Sequence, residues 1–164
     1  MPYEIMLPFV ISNMFGVVFL VLAADKPAVS RLVLSMLFGW AGITNIYVSQ
    51  ATPEVYLEYS DTAWELYVGF INGWFSKHIA TTVGMIAVAQ LAIAIGLWLK
   101  EQWSGLAIIA SIIFFLGISP LGIYAAFPFP VIMAIASFFI LQKNGQKDLL
   151  AHFRNYKKGF EGYT

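Results

Sequence analysis

Charged residues disappear from the chain between Glu101 and Lys143, and apolar residues replace them with one proline-rich interruption. A continuous helix over 102–142 would be about twice as long as a bilayer is thick. The interruption falls at Gly117, Ser119-Pro120, Gly122 and Phe127-Pro128-Phe129-Pro130. Those prolines lack an amide hydrogen and restrict the residue before them, so the helix must break there. The run therefore predicts two crossings joined by an interfacial turn. The same scan gives charge-poor stretches at 5–24, 31–50, 79–99, 103–118 and 129–142. We expect an all-α integral membrane bundle of about five transmembrane helices in a single domain. No basic residue precedes the first stretch, which favours a retained helix over a cleaved leader; without it, a four-helix bundle remains.

The segment 53–78 is the longest that does not span. Within it Trp64, Tyr67, Val68, Ile71, Trp74 and Phe75 recur at helical spacing, while Asp61, Glu65, Asn72 and Ser76 fall elsewhere on the wheel. This predicts an amphipathic helix lying in the outer interface with its aromatic side down. It would serve as a surface anchor or as a lid over the helices.

Composition agrees with the pattern: 60% hydrophobic, 11% charged, mean hydropathy +0.77. Soluble domains carry about 25% charged residues. Net charge is zero, so bulk charge points to no nucleic acid. The absence of cysteine excludes disulfides, thiolate catalysis and Cys-ligated metal. The placement of charge is more informative than its sum. With the N-terminus outside, eight of the nine basic residues fall inside (Lys26, Arg31, Lys100, Lys143, Lys147, Arg154, Lys157, Lys158) and Lys77 alone outside. This predicts an N-out, C-in protein of the plasma (inner) membrane. The basic segment 143–164, with Phe153, Tyr156 and Phe160, suits anionic headgroups or a docking partner. Glu4, Glu54, Glu58, Asp61 and Glu65 make the outer face acidic. That is ordinary positive-inside bias or a cation-attracting vestibule.

Polar residues inside a bilayer carry information because they cost free energy there. None at a helix centre is ionisable, which argues against a proton pump or charge-coupled carrier. The neutral ones are Ser12 and Asn13, Ser35, Thr44 and Asn45, Gln90, Ser111 and Ser137. Gln90 lies mid-helix on a face with Val83, Ala87 and Ala94, and Ala80/Gly84 and Ala92/Gly96 are small-xxx-small pairs that let helices approach. Gln90 then bonds across a helix contact, or it orients the carbonyl of a quinone, sterol or lipid. Asn13 and Asn45 carry the same two readings. His78, at the outer interface, is a headgroup neighbour or joins Glu54, Glu58 or Asp61 as a ligand or acid–base group. His152 falls on the other side, so the two histidines share no haem or metal. No phosphate loop, nucleophile elbow or HExxH is present.

The second stretch reads Arg31-Leu-Val-Leu-Ser35-Met-Leu-Phe38-Gly-Trp-Ala-Gly42-Ile-Thr-Asn45. It resembles the first core helix of the DoxX-like membrane proteins, whose pattern is Arg, three residues, Gly, two, Phe, three, Gly, two, Lys. Arg31, Phe38 and Gly42 fit; Ser35 replaces the first glycine and Asn45 the lysine, which removes a charged position of the family. An outer segment with Pro53-Glu54-Val55-Tyr56 and three more apolar helices extend the resemblance over 31–143, with 5–24 as an added helix. The resemblance implies a four-helix membrane core in which Arg31 and Gly42 hold packing positions. It also implies roles such as small subunits of a thiosulfate:quinone oxidoreductase or of redox-stress complexes. In such a role the chain would bind the quinone or support a catalytic partner.

Three functions follow as expectations. The first is a non-catalytic accessory or scaffold subunit that meets membrane lipid and either other membrane subunits or further copies of itself, with no intrinsic cofactor. The second is a binder or enzyme for a hydrophobic ligand, such as quinone or lipid, oriented by Gln90, Asn45 and Asn13 with Glu54, Glu58 and His78 at the mouth. The third is a channel or carrier for a small solute.

Overall fold

A computed structural model describes residues 3–143 of the chain; the expected basic tail beyond Lys143, with His152, lies outside the described residues. The described residues form helices and turns, with no strand among them. The long helices are α1 (Tyr3–Asp25), α2 (Pro27–Ala51), α4 (Ile79–Gly96), α5 (Glu101–Ile118) and α6 (Phe129–Gln142). A 3-10 segment (Pro53–Asp61), the short α3 (Glu65–Asn72) and a 3-10 turn (Phe75–Lys77) connect α2 to α4. A further 3-10 segment (Ser119–Ala125) connects α5 to α6.

Among the described residues, four apolar stretches are long enough to cross a membrane: Met6–Asp25, Pro27–Ala51, Ile79–Gly96 and Gln102–Ala125. The helix α6 is as apolar but has 14 residues, about 21 Å by helical rise. It starts late because Pro128 and Pro130 end the turn where the sequence places the break. Pro27 starts α2, a position where its fixed φ suits a first turn. Two boundaries differ from expectation. The third stretch stops at Gly96, with Leu97–Leu99 folding into the turn. The outer segment is not one helix over 64–75, because the chain leaves α3 at Gly73, where a Cβ would stand 2.7 Å from the Gly69 carbonyl oxygen.

The long helices close a ring in which α1 meets α2, α2 meets α4, α4 meets α5, α5 meets α6, and α6 returns to α1. Its centre holds Phe19, Leu34, Phe38, Ile108, Phe115, Met133 and Ile140. Phe38 sits within 5.3 Å of the rings of both Phe114 and Phe115. The outward faces are apolar as well, including Val18 and Val21 on α1, Met36 and Trp40 on α2, and Ile113 on α5. Apolar residues on both sides of a helix are what a lipid solvent allows and water does not.

The two ends differ. Arg31 Nη2 donates to the carbonyl of Leu97, and Lys143 Nζ to that of Ala24. These bonds gather Lys26, Arg31, Lys100 and Lys143 at one end. The other end carries the α2–α4 connection with Glu54, Glu58, Asp61, Glu65 and Lys77. A second cluster, Ile71, Phe75, Ile79 and Val83, ties α3 to the top of α4. The expected aromatic-down helix therefore divides its apolar residues. Ile71 and Phe75 face the protein, whereas Trp64, Leu66, Phe70 and Trp74 face outward.

Candidate functional site

The polar side chains inside the bundle are joined by close helix contacts, above all between α2 and α4. Gly42 makes that contact possible: a Cβ there would lie 2.8 Å from Leu91 Cγ and 3.0 Å from the Ala87 carbonyl oxygen. The pairings of Arg31 with Leu97, Ser35 with Ala94 and Gly42 with Ala87 run in opposite senses along the two helices, so they are antiparallel. Side chains lean toward the N-terminus of their own helix. Asn45 and Gln90 consequently lean toward each other.

They meet. Asn45 Nδ2 donates to Gln90 Oε1 at 2.8 Å, and the Tyr56 hydroxyl donates to Asn45 Oδ1 at 2.9 Å. A single chain of donors runs from the acidic end to the centre of α4: Tyr56 to Asn45 to Gln90. Gln90 is only 3% exposed, on the face of α4 that also buries Val83, Ala87 and Ala94. Tyr56 enters this chain because Pro53 ends α2 and the 3-10 segment folds over the helix end. Its ring lies near that of Tyr59, which in turn meets Tyr124. Burial, then the neighbouring Tyr59, raises the Tyr56 pKa above its ordinary 10.0. Burial, then the Glu58 carboxylate, does the same at Tyr59. Both phenols therefore remain donors across the neutral range.

A second set caps the basic end of α4. The last carbonyls of a helix have no partner within it and carry the negative end of its dipole. Arg31 Nη2 donates to Leu97 O at 2.8 Å, Ser35 Oγ to Ala94 O at 2.8 Å, and Trp98 Nε1 to Ser35 Oγ at 2.7 Å. Arg31 is 3% exposed. A third set fastens the acidic end. Thr62 Oγ1 donates to Leu121 O and accepts from the Tyr124 amide, the Trp64 amide donates to Pro120 O, and the Tyr67 hydroxyl donates to Gly117 O. Asn13 Nδ2 joins in by donating to Phe9 O and, across the chain, to Ala126 O.

The structure thus brings Gln90 and Asn45 together, and sets Asn13 apart from them on α1. Glu54 and Glu58 are exposed on the 3-10 segment. His78 stacks on Trp74 with ring centroids 4.5 Å apart and shares a 2.9 Å contact between Nδ1 and Trp74 O. No ion pair joins His78 to either glutamate among the described residues, and no group of three His, Asp or Glu there is arranged to hold a metal. Gly96 meets Ala107 across the α4–α5 contact, where a Cβ would stand 2.8 Å from the alanine Cβ. Gly84, expected at such a contact, has open space in that direction instead. Sequence reasoning left out Tyr56, Thr62 and Trp98. Only Tyr56 carried a signal, as the first aromatic after a proline that ends a helix bearing Asn45. No family model, curated protein or solved structure matches this chain.

Proposed function

We propose that the chain is an integral membrane bundle that acts as a non-catalytic accessory or scaffold subunit, with its acidic end outside and its basic end cytoplasmic. The observation that carries this is the division between the polar interior and the outward faces. Asn13, Ser35, Asn45, Tyr56 and Thr62 each donate to another part of the same chain, while the outward faces of the long helices are apolar. Such a protein works through its lateral surface, by what it holds in the membrane. The DoxX-like character of 31–143 and the crossing of the bilayer by α6 as a fifth span belong to the same proposal. The surrounding end segments would let a 14-residue helix serve as a span, because a short helix is accommodated by local thinning and by its flanks. Gentle extraction followed by native mass spectrometry tests the function. A protein partner at fixed stoichiometry supports it, and a monomer carrying only mixed lipid overturns it.

A further inference from the structure

Tryptophan favours the two boundaries of a bilayer, where its ring meets hydrocarbon and its N–H meets water. Four of the five tryptophans follow this rule. Trp64 and Trp74 flank α3 at the acidic end, and Trp98 and Trp103 lie on either side of Lys100 at the basic end. Trp40 does not. It stands thirteen residues from the start of α2 and eleven from its end, or roughly 20 Å and 17 Å along the axis. In a hydrocarbon core about 30 Å thick that is near the middle. Trp40 is 68% exposed, and its indole N–H has no acceptor among the described residues. Thr44, one turn further along α2 and half-exposed, is likewise unused. Ser30 and Thr82 return their hydroxyls to the carbonyl four residues back, whereas Thr44 makes no such bond. Water is excluded at this depth and phospholipid carbonyls stand at the headgroup boundary, so the bilayer satisfies neither group. The outward faces of α1 and α5 present aliphatic side chains instead, Val18 and Val21 on one and Ile109 and Ile113 on the other.

We propose that the outward ridge of α2, formed by Met36, Trp40, Ile43 and Tyr47, is the contact face for a second copy of this chain. The four residues recur at intervals of four, three and four, the spacing of a seam along which two helices pack lengthwise. The polar groups make the ridge self-complementary. It carries one unused donor, Trp40 Nε1, and on its flank one unused acceptor, Thr44 Oγ1, about 6 Å further along the axis. A two-fold axis along the membrane normal sets each donor against the acceptor of the other copy, so two pairs form at once. The same pairing already operates inside the chain, where Trp98 Nε1 donates to Ser35 Oγ at 2.7 Å. The inference rests on the membrane scaffold reading above, and names the partner which that reading leaves open.

The test uses the full chain, purified and returned to phosphatidylcholine vesicles. Because the chain lacks cysteine, each of Met36→Cys, Ile43→Cys, Val18→Cys and Ile113→Cys carries a single thiol. Oxidation with iodine should cross-link Met36→Cys and Ile43→Cys into dimers and leave Val18→Cys and Ile113→Cys monomeric. Equal cross-linking at all four positions overturns the proposal, and so does its absence from the two on α2. Energy transfer between labelled chains then measures the dimer Kd. It should weaken about tenfold in Trp40→Phe and equally in Thr44→Val, the worth of two hydrogen bonds between helices. The double variant should lose no more than either single one, because each bond needs both partners; losses that add overturn the proposal. Should Trp40→Phe fail to fold, cross-linking of Met36→Cys with Trp40 in place decides. Co-flotation with the vesicles separates the two readings. A chain that does not float contradicts the membrane reading and the dimer with it, whereas one that floats and stays monomeric overturns the dimer alone.

Discussion

Gly42 and Gly84 are the same residue type in helices of similar character, yet only Gly42 meets a neighbour. In a bilayer, helices gain little from hiding apolar surface, so close backbone approach and interhelical hydrogen bonds carry the association. Gly42→Ala pushes a methyl group against Leu91 and the Ala87 carbonyl, and should destabilise the bundle by about 1–3 kcal/mol. Gly84→Ala has room and should be neutral or raise stability by up to about 1 kcal/mol through helix propensity. Reversible unfolding in mixed micelles measures both, and equal effects at the two sites would contradict the packing described. The tyrosines set a pH dependence of definite sign. A phenol whose folded pKa is raised keeps its full contribution below the ordinary 10.0 and loses it as pH rises through the folded value. Stability should therefore hold to about pH 10 and fall above it, and Tyr59→Phe should make that fall shallower in alkaline unfolding curves. The small-xxx-small pattern marked Gly84 and Gly96 alike, because spacing says nothing about which face of a helix has a neighbour.

The element most visible in the pattern of residues was the charge-free hairpin of α5 and α6, and its break falls where the prolines put it. Less visible was what holds that break. Gly122 sits at φ 77°, and its missing side chain admits the Thr62 carbonyl, which a Cβ would approach to 2.1 Å. Thr62 is remote in sequence and ordinary in type, so no local signal joins it to Gly122. Gly122→Ala should loosen the α2–α4 connection from the α5–α6 turn, with a loss of about 1–3 kcal/mol from backbone strain alone. Limited proteolysis should show new cleavage between Pro53 and Lys77, and a cleavage pattern identical to wild type would count against the contact. The α3 helix was legible as amphipathic but not in its orientation. Its aromatic residues are distributed over two sides, and only tertiary packing assigns Ile71 and Phe75 inward and Trp74 outward.

At the scale of the whole molecule, helical class and the presence of several long apolar helices were legible because a helix in lipid satisfies its own backbone, leaving hydropathy as the dominant signal; about five spans were expected, and four of the described helices are long enough. The pairing of Asn45 with Gln90 was not, because it depends on the antiparallel register of α2 and α4 and on the side-chain lean that follows from it. The basic and acidic ends are separated by the full length of the bundle, and this separation gives the membrane proposal its sharpest test. The chain has no cysteine, so single cysteines can be placed at will on exposed positions at either end. Glu54→Cys and Lys100→Cys would be labelled in intact cells with a membrane-impermeant maleimide. A bundle that crosses the membrane with its basic end inside gives labelling at Glu54→Cys in intact cells and at Lys100→Cys only after permeabilisation. Labelling of both in intact cells, or of neither until the cells are opened, would contradict it.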